Sequence, residues 1–97
     1  MALSLPQTVK DFSREHEKET LRRYMNYMVE KNKHRKSLPF WTKRNMDIVS
    51  KCLGIGGPAF DLQDVGIIHR LSYSRIREIV LEGVKRYRSH DWHIANR

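Results

Sequence analysis

Hydrophobic residues along this chain recur with the period of a helix, and no stretch alternates with the two-residue period of a strand. Leu21, Tyr24, Met25 and Met28 fall at i, i+3, i+4 and i+7, one face of a helix, in a run from Ser4 to about Lys31 that lacks glycine. Val9, Phe12 and His16 form a weaker stripe before it, and Ser13 to Glu19 is charged on all sides, as a solvated helix or exposed hinge would be. The Leu21 stripe requires a partner surface, which is this chain's own core, a second copy or another protein. Pro39 disfavours helix for the residue before it, so residues 32–40, with Lys31 to Lys36 at their start, read as a basic linker.

From Trp41 onward the pattern is tighter. Thr42 is placed to cap a helix carrying Met46, Ile48, Val49 and Leu53, and Gly54-Ile55-Gly56-Gly57-Pro58 stops it. Asp61 caps a short helix with Leu62, Val65 and Ile68 at i, i+3 and i+6; Leu71 lies in a brief turn; Ser72 caps the next helix. That last helix puts Ile76, Ile79, Val80, Gly83, Val84 and Tyr87 on one face. The expected fold is all-α, a small helical bundle: residues 1–40 form an N-terminal helical extension and basic linker, and residues 41–97 form a helix-turn-helix domain.

Composition narrows the function. With 97 residues and 39% hydrophobic, the core is small and a large enzyme cleft is not expected. Lys and Arg number 19 against 11 Asp and Glu, a net +8 that divides as +4 over residues 1–40 and +4 over residues 41–97. Such a balance points to a polyanionic partner, nucleic acid or an acidic membrane surface. The single cysteine, Cys52, cannot form an internal disulfide or a Cys-based zinc site, and its apolar neighbours make it a buried structural thiol. No apolar run is long enough to span a membrane and the first 20 residues are too charged for a signal peptide, so a cytoplasmic protein is expected.

Two candidate chemistries fall away. His90-Asp91-Trp92-His93 spaces two histidines around a carboxylate, but it lies beside a chain terminus without a further ligand, so neither metal nor cofactor is expected and Trp92 is assigned to packing. Gly54 to Gly57 follows no strand and lacks the lysine and hydroxyl of a phosphate-binding loop. The chain does not read as an enzyme.

The helix-turn-helix carries the functional reading. Val65, Ile68, Leu71, Ile76 and Ile79 would lock its two helices at a fixed angle, with Gly66 permitting close approach. Ser72, Tyr73, Ser74, Arg75, Arg77 and Glu78 would be free to enter a major groove.

Residues 41–88 resemble region four of the bacterial sigma-factor family. The resemblance rests on Trp41-Thr42-Lys43-Arg44, Ile48-Val49 and Leu53-Gly54-Ile55-Gly56 in the first half, and on Asp61-Leu62-Gln63-Asp64-Val65-Gly66, Leu71-Ser72, Arg75-Ile76-Arg77-Glu78-Ile79 and the basic run Lys85 to Arg88 in the second. It covers about half the chain. It implies double-stranded promoter DNA and the β-flap of bacterial RNA polymerase as partners. Arg44 would approach a backbone phosphate; Tyr73, Ser74, Arg77 and Glu78 would face base edges; Arg75 would serve phosphates or packing. Ile48, Val49, Leu53 and Ile55 would form the flap groove. The family usually carries Arg-Glu where this chain has Tyr73-Ser74, so the housekeeping promoter hexamer is not the expected target. Glu82 and Gly83 also depart from the family.

The first 40 residues do not resemble the other sigma regions. The expectation is therefore an accessory transcription factor of phage or mobile-element type, acting in the bacterial cytoplasm or nucleoid and redirecting or displacing the host sigma domain. Two alternatives stand beside it: a dimeric helix-turn-helix repressor or activator pairing through Leu21, Tyr24, Met25 and Met28, and a decoy inhibitor of polymerase or sigma that does not touch DNA.

Overall fold

A computed structural model describes residue 5, residues 15–34 and residues 39–90. Among these, four helices and no strand are formed: α1 (Glu15–Lys31), α2 (Lys43–Leu53), α3 (Leu62–His69) and α4 (Tyr73–Ser89). The all-α reading holds. The Val9–Phe12 stripe and the Asp91-Trp92-His93 segment lie outside the described residues.

All three expected caps are present, and each works by satisfying a backbone N–H that has no partner within its helix. Thr42 Oγ1 accepts from the N–H of Asn45 at 3.1 Å, Asp61 Oδ1 from that of Gln63 at 2.9 Å, and Ser72 Oγ from that of Arg75 at 3.1 Å. At the other end of α2, Gly54 takes the left-handed conformation (φ 71°) that favours glycine.

The core is one cluster to which every helix contributes. From α4 it takes Ile76, Ile79, Val80, Gly83, Val84 and Tyr87, the whole expected face. From α1 it takes Leu21, Tyr24 and Met25, each 1% exposed or less, with Met28 packed beside them. The α1 stripe therefore covers this chain's own core, which removes the dimer surface expected of Leu21, Tyr24, Met25 and Met28. Residues on either side of the sequence boundary at 40/41 share that core, so α1 packs as part of the bundle.

Trp41 joins these parts. Its Nε1–H donates to Tyr24 Oη at 2.9 Å, and the two rings meet edge to face at 5.6 Å. Tyr24 in turn lies 5.3 Å from the Tyr87 ring on α4. The far edge of the indole fills the space that a side chain on Gly83 would need: a Cβ there would lie 2.9 Å from Trp41 Cη2 and 3.1 Å from Val49 Cγ2. Gly83 is thus the seat of the tryptophan.

Removing the Tyr24 hydroxyl should strand the buried indole N–H. Tyr24→Phe is expected to cost about 1–3 kcal/mol. Urea unfolding checks this, and an unchanged midpoint would contradict it.

Candidate nucleic-acid interface

The turn between α3 and α4 contains three residues, and its shape follows from two backbone constraints. Arg70 closes α3 in the left-handed conformation (φ 57°), the one non-glycine residue with positive φ among those described. Its N–H, and that of Leu71 at 2.9 Å, return to the carbonyl of Gly66. A Cβ on Gly66 would lie 2.6 Å from the Leu71 carbonyl oxygen, closer than real side chains come. Glycine is therefore required where the chain folds back across α3, and the close approach is to the turn as well as to Ile76.

Val65, Ile76 and Ile79 lock the helix pair from inside, with Leu71 packed against the core. Ile68 does not: it is 52% exposed. Successive steps of three residues fall 60° behind the helix repeat, so by the second step the side chain has left the inner face. The position one residue later, His69, completes that face instead. Its Nε2 meets Asp47 Oδ2 on α2 at 2.7 Å, and Asp47 also accepts from Lys51. This pair ties the end of α3 to the middle of α2. Burial alone would raise the Asp47 carboxyl, but the hydrogen bonds and charges of Lys51 and His69 outweigh it and hold the group below the usual carboxylate range.

With Ile76 and Ile79 turned inward, the leading edge of α4 faces out. Ser72, Ser74, Arg75 and Glu78 are exposed, and Tyr73 and Arg77 are partly exposed. Six of the seven expected DNA-contacting residues thus gather on one cap and two turns of helix. Arg75 and Glu78 pair across 3.3 Å with side chains 52% and 64% exposed. Such a water-exposed pair is worth about 0–1 kcal/mol, so a phosphate or base edge competes with it readily.

Arg44 stands apart from this edge. It is exposed in the first turn of α2, its Nε donating to Asn45 Oδ1 at 3.2 Å. Asn45 holds the Phe40 carbonyl at 2.7 Å, and the Phe40 ring lies 4.8 Å under the Arg86 guanidinium. Arg44 is thereby linked through Asn45 and Phe40 to the second half of α4, where Arg86 lies about 20 Å along the helix from Tyr73 at 1.5 Å per residue.

The expected flap groove is not a surface. Ile48 and Val49 are 0% exposed, and Leu53 and Ile55 are 8% exposed. Ile48 and Val49 form the inner face of α2, and Ile55 is drawn in by its N–H bond to the Ser50 carbonyl at 2.8 Å. Cys52 is buried among them, its thiol pushed up to about 12 by burial and then by Asp47 and Asp61. A thiol so protonated is a poor nucleophile at neutral pH.

Arg70 was missed by the sequence reading because arginine gives no sign of a left-handed cap, where glycine or asparagine is usual. The Asp47–His69 bond joins residues 22 apart in sequence and leaves no periodic signal.

Comparisons with protein-family models, with curated proteins and with solved structures find no match for this chain. Among the described residues, no helix is long and apolar enough to cross a membrane, and no three His, Cys, Asp or Glu side chains are grouped to hold a metal ion.

Gly66→Ala gains about 1 kcal/mol of helix propensity but forces its Cβ against the Leu71 carbonyl oxygen. A net loss of about 1–3 kcal/mol is expected in urea unfolding, and a stabilised variant would contradict the tight turn. Because the folded Asp47 carboxyl lies below its unfolded value of about 3.9, the stability it contributes is full above that pH and lost as pH falls through the folded value. The stability gap between the wild type and Asp47→Asn should therefore shrink below about pH 4. A gap unchanged down to pH 2.5 would contradict the assignment.

Proposed function

We propose that this protein is a transcription regulator that binds double-stranded promoter DNA through the α3–α4 helix-turn-helix, working beside bacterial RNA polymerase as the resemblance to sigma region four implies. The observation that carries the reading is the close turn at Gly66 and Leu71. It fixes a capped helix whose leading edge, Ser72 to Glu78, is polar and outward while Ile76 and Ile79 hold it from behind. The N-terminal N–H groups of α4 add a favourable place for phosphate, with no acidic side chain in its first turn. The net charge of +8 supplies the long-range attraction to DNA.

Tyr73 and Ser74, in place of the family's Arg-Glu, favour contact with a thymine methyl or a phosphate over bidentate recognition of guanine. With Ile48, Val49, Leu53 and Ile55 in the core, contact with the polymerase flap would need another surface. Such a regulator would act in the bacterial cytoplasm, at the nucleoid.

Titrating fluorescent duplex DNA at several salt concentrations tests the reading. Binding should weaken linearly in log salt, and Arg44→Ala should reduce the slope by about 0.9, the share of one phosphate contact. Tyr73→Ala should change which sequences are selected from a random duplex pool. Absence of any salt-dependent binding would overturn the proposal and favour a decoy that binds protein alone.

A further inference from the structure

α3 is apolar on both sides. Its inner side places Val65 and Gly66 in the core, yet Ile67 and Ile68 on the outer side are 71% and 52% exposed. At the N-terminal end of the same helix, Phe60 is 39% exposed. The Phe60 backbone is not loose there: its N–H donates to the Lys51 carbonyl at 2.7 Å, and the preceding loop is folded tightly enough that a Cβ on Gly54 would lie 3.2 Å from Ala59 N. The two isoleucines cannot turn inward without expelling Val65. Three large apolar side chains are thus held in water by a framework that is itself well satisfied.

The charge along this stretch of sequence is unlike that of the rest of the chain. Of the 19 Lys and Arg residues in the chain, none lies between Lys51 and Arg70, an interval that contains Asp61 and Asp64. Both aspartates are exposed, Asp61 as the N-cap of α3 and Asp64 in its first turn, between Phe60 and the isoleucines in sequence. Arg70 stands exposed at the C-terminal end of α3, but the stretch from Phe60 to Asp64 is apolar and acidic, which disfavours DNA and anionic lipid there.

We infer that the outer face of α3, with Phe60, is a docking site for a protein partner, a basic amphipathic helix that lays apolar side chains on Phe60, Ile67 and Ile68 and sets lysines or arginines against Asp61 and Asp64. α3 is about 12 Å long, which matches two turns of such a helix. Apolar contact supplies the affinity and the rim charges the selectivity. The site uses none of the residues assigned to DNA, so it stands or falls separately from that reading.

Two labelled peptides test it, each with the same leucine stripe over three helical turns, one flanked by lysines and one by glutamates. The lysine peptide should bind the full chain and shift backbone amides over residues 60–69 in an NMR titration. The glutamate peptide should bind at least about 10-fold more weakly, and so should the lysine peptide to Ile67→Glu/Ile68→Glu. Asp64→Lys, which leaves the apolar residues in place, should narrow the gap between the two peptides.

Failure of the lysine peptide to bind, equal binding to the double variant, or shifts centred elsewhere would overturn the inference. Self-association of the wild type in sedimentation that the double variant abolishes would also overturn it, by assigning the face to a second copy.

Discussion

The structure depends on the place of one indole ring. Trp41 enters the core just before α2 begins, donates its N–H to Tyr24 on α1 and lies over Gly83 on α4. A tryptophan buries a large apolar area, but only where its single N–H also finds a partner. Here the partner comes from the N-terminal helix and the space comes from a missing side chain on the last one. Three helices are thereby held around one residue, in the small core that a 39% hydrophobic composition allows.

With that frame set, α3 and α4 are oriented by contacts that differ in kind. Gly66 meets the Leu71 carbonyl at the turn, Ile76 and Ile79 pack from α4, and Asp47 on α2 bonds His69. The first two use shape and the third a hydrogen bond, so the helix pair is braced at its turn, along its inner side and at the end of α3. The consequence is a polar leading edge on α4 and an acidic, apolar outer face on α3. In a chain of net charge +8 these two surfaces differ in chemistry, and the partners proposed for them, nucleic acid for the first and protein for the second, differ accordingly.

Much of the fold could be read from the sequence because its signals are local. Thr42, Asp61 and Ser72 cap helices wherever the backbone needs them, and the six inward positions of α4 follow one helical face. Failures came where the answer depends on three dimensions. The apolar positions of α2 are visible in sequence, but whether Ile48, Val49, Leu53 and Ile55 line a groove or fill a core depends on α4 lying over them. The Leu21 stripe announced a partner without naming it, and the partner proved to be the chain's own Trp41 and Tyr87. At α3, steps of three residues imitated an apolar face, while a histidine bonded to a distant aspartate took the inner position. The residues proposed to meet DNA were legible as a helix start, whereas the link from Arg44 through Asn45 to Phe40, and from Phe40 to Arg86, leaves no periodic signal.

The most direct measurement is an NMR footprint of the full, isotope-labelled chain on random-sequence duplex DNA at low salt. Backbone amides from Ser72 to Glu78 and the Arg44 side chain should shift together, while Phe60, Ile67 and Ile68 stay in place. Shifts confined to α1 or to the outer face of α3, or none at all, would contradict the claim that the leading edge of α4 is the surface that meets DNA.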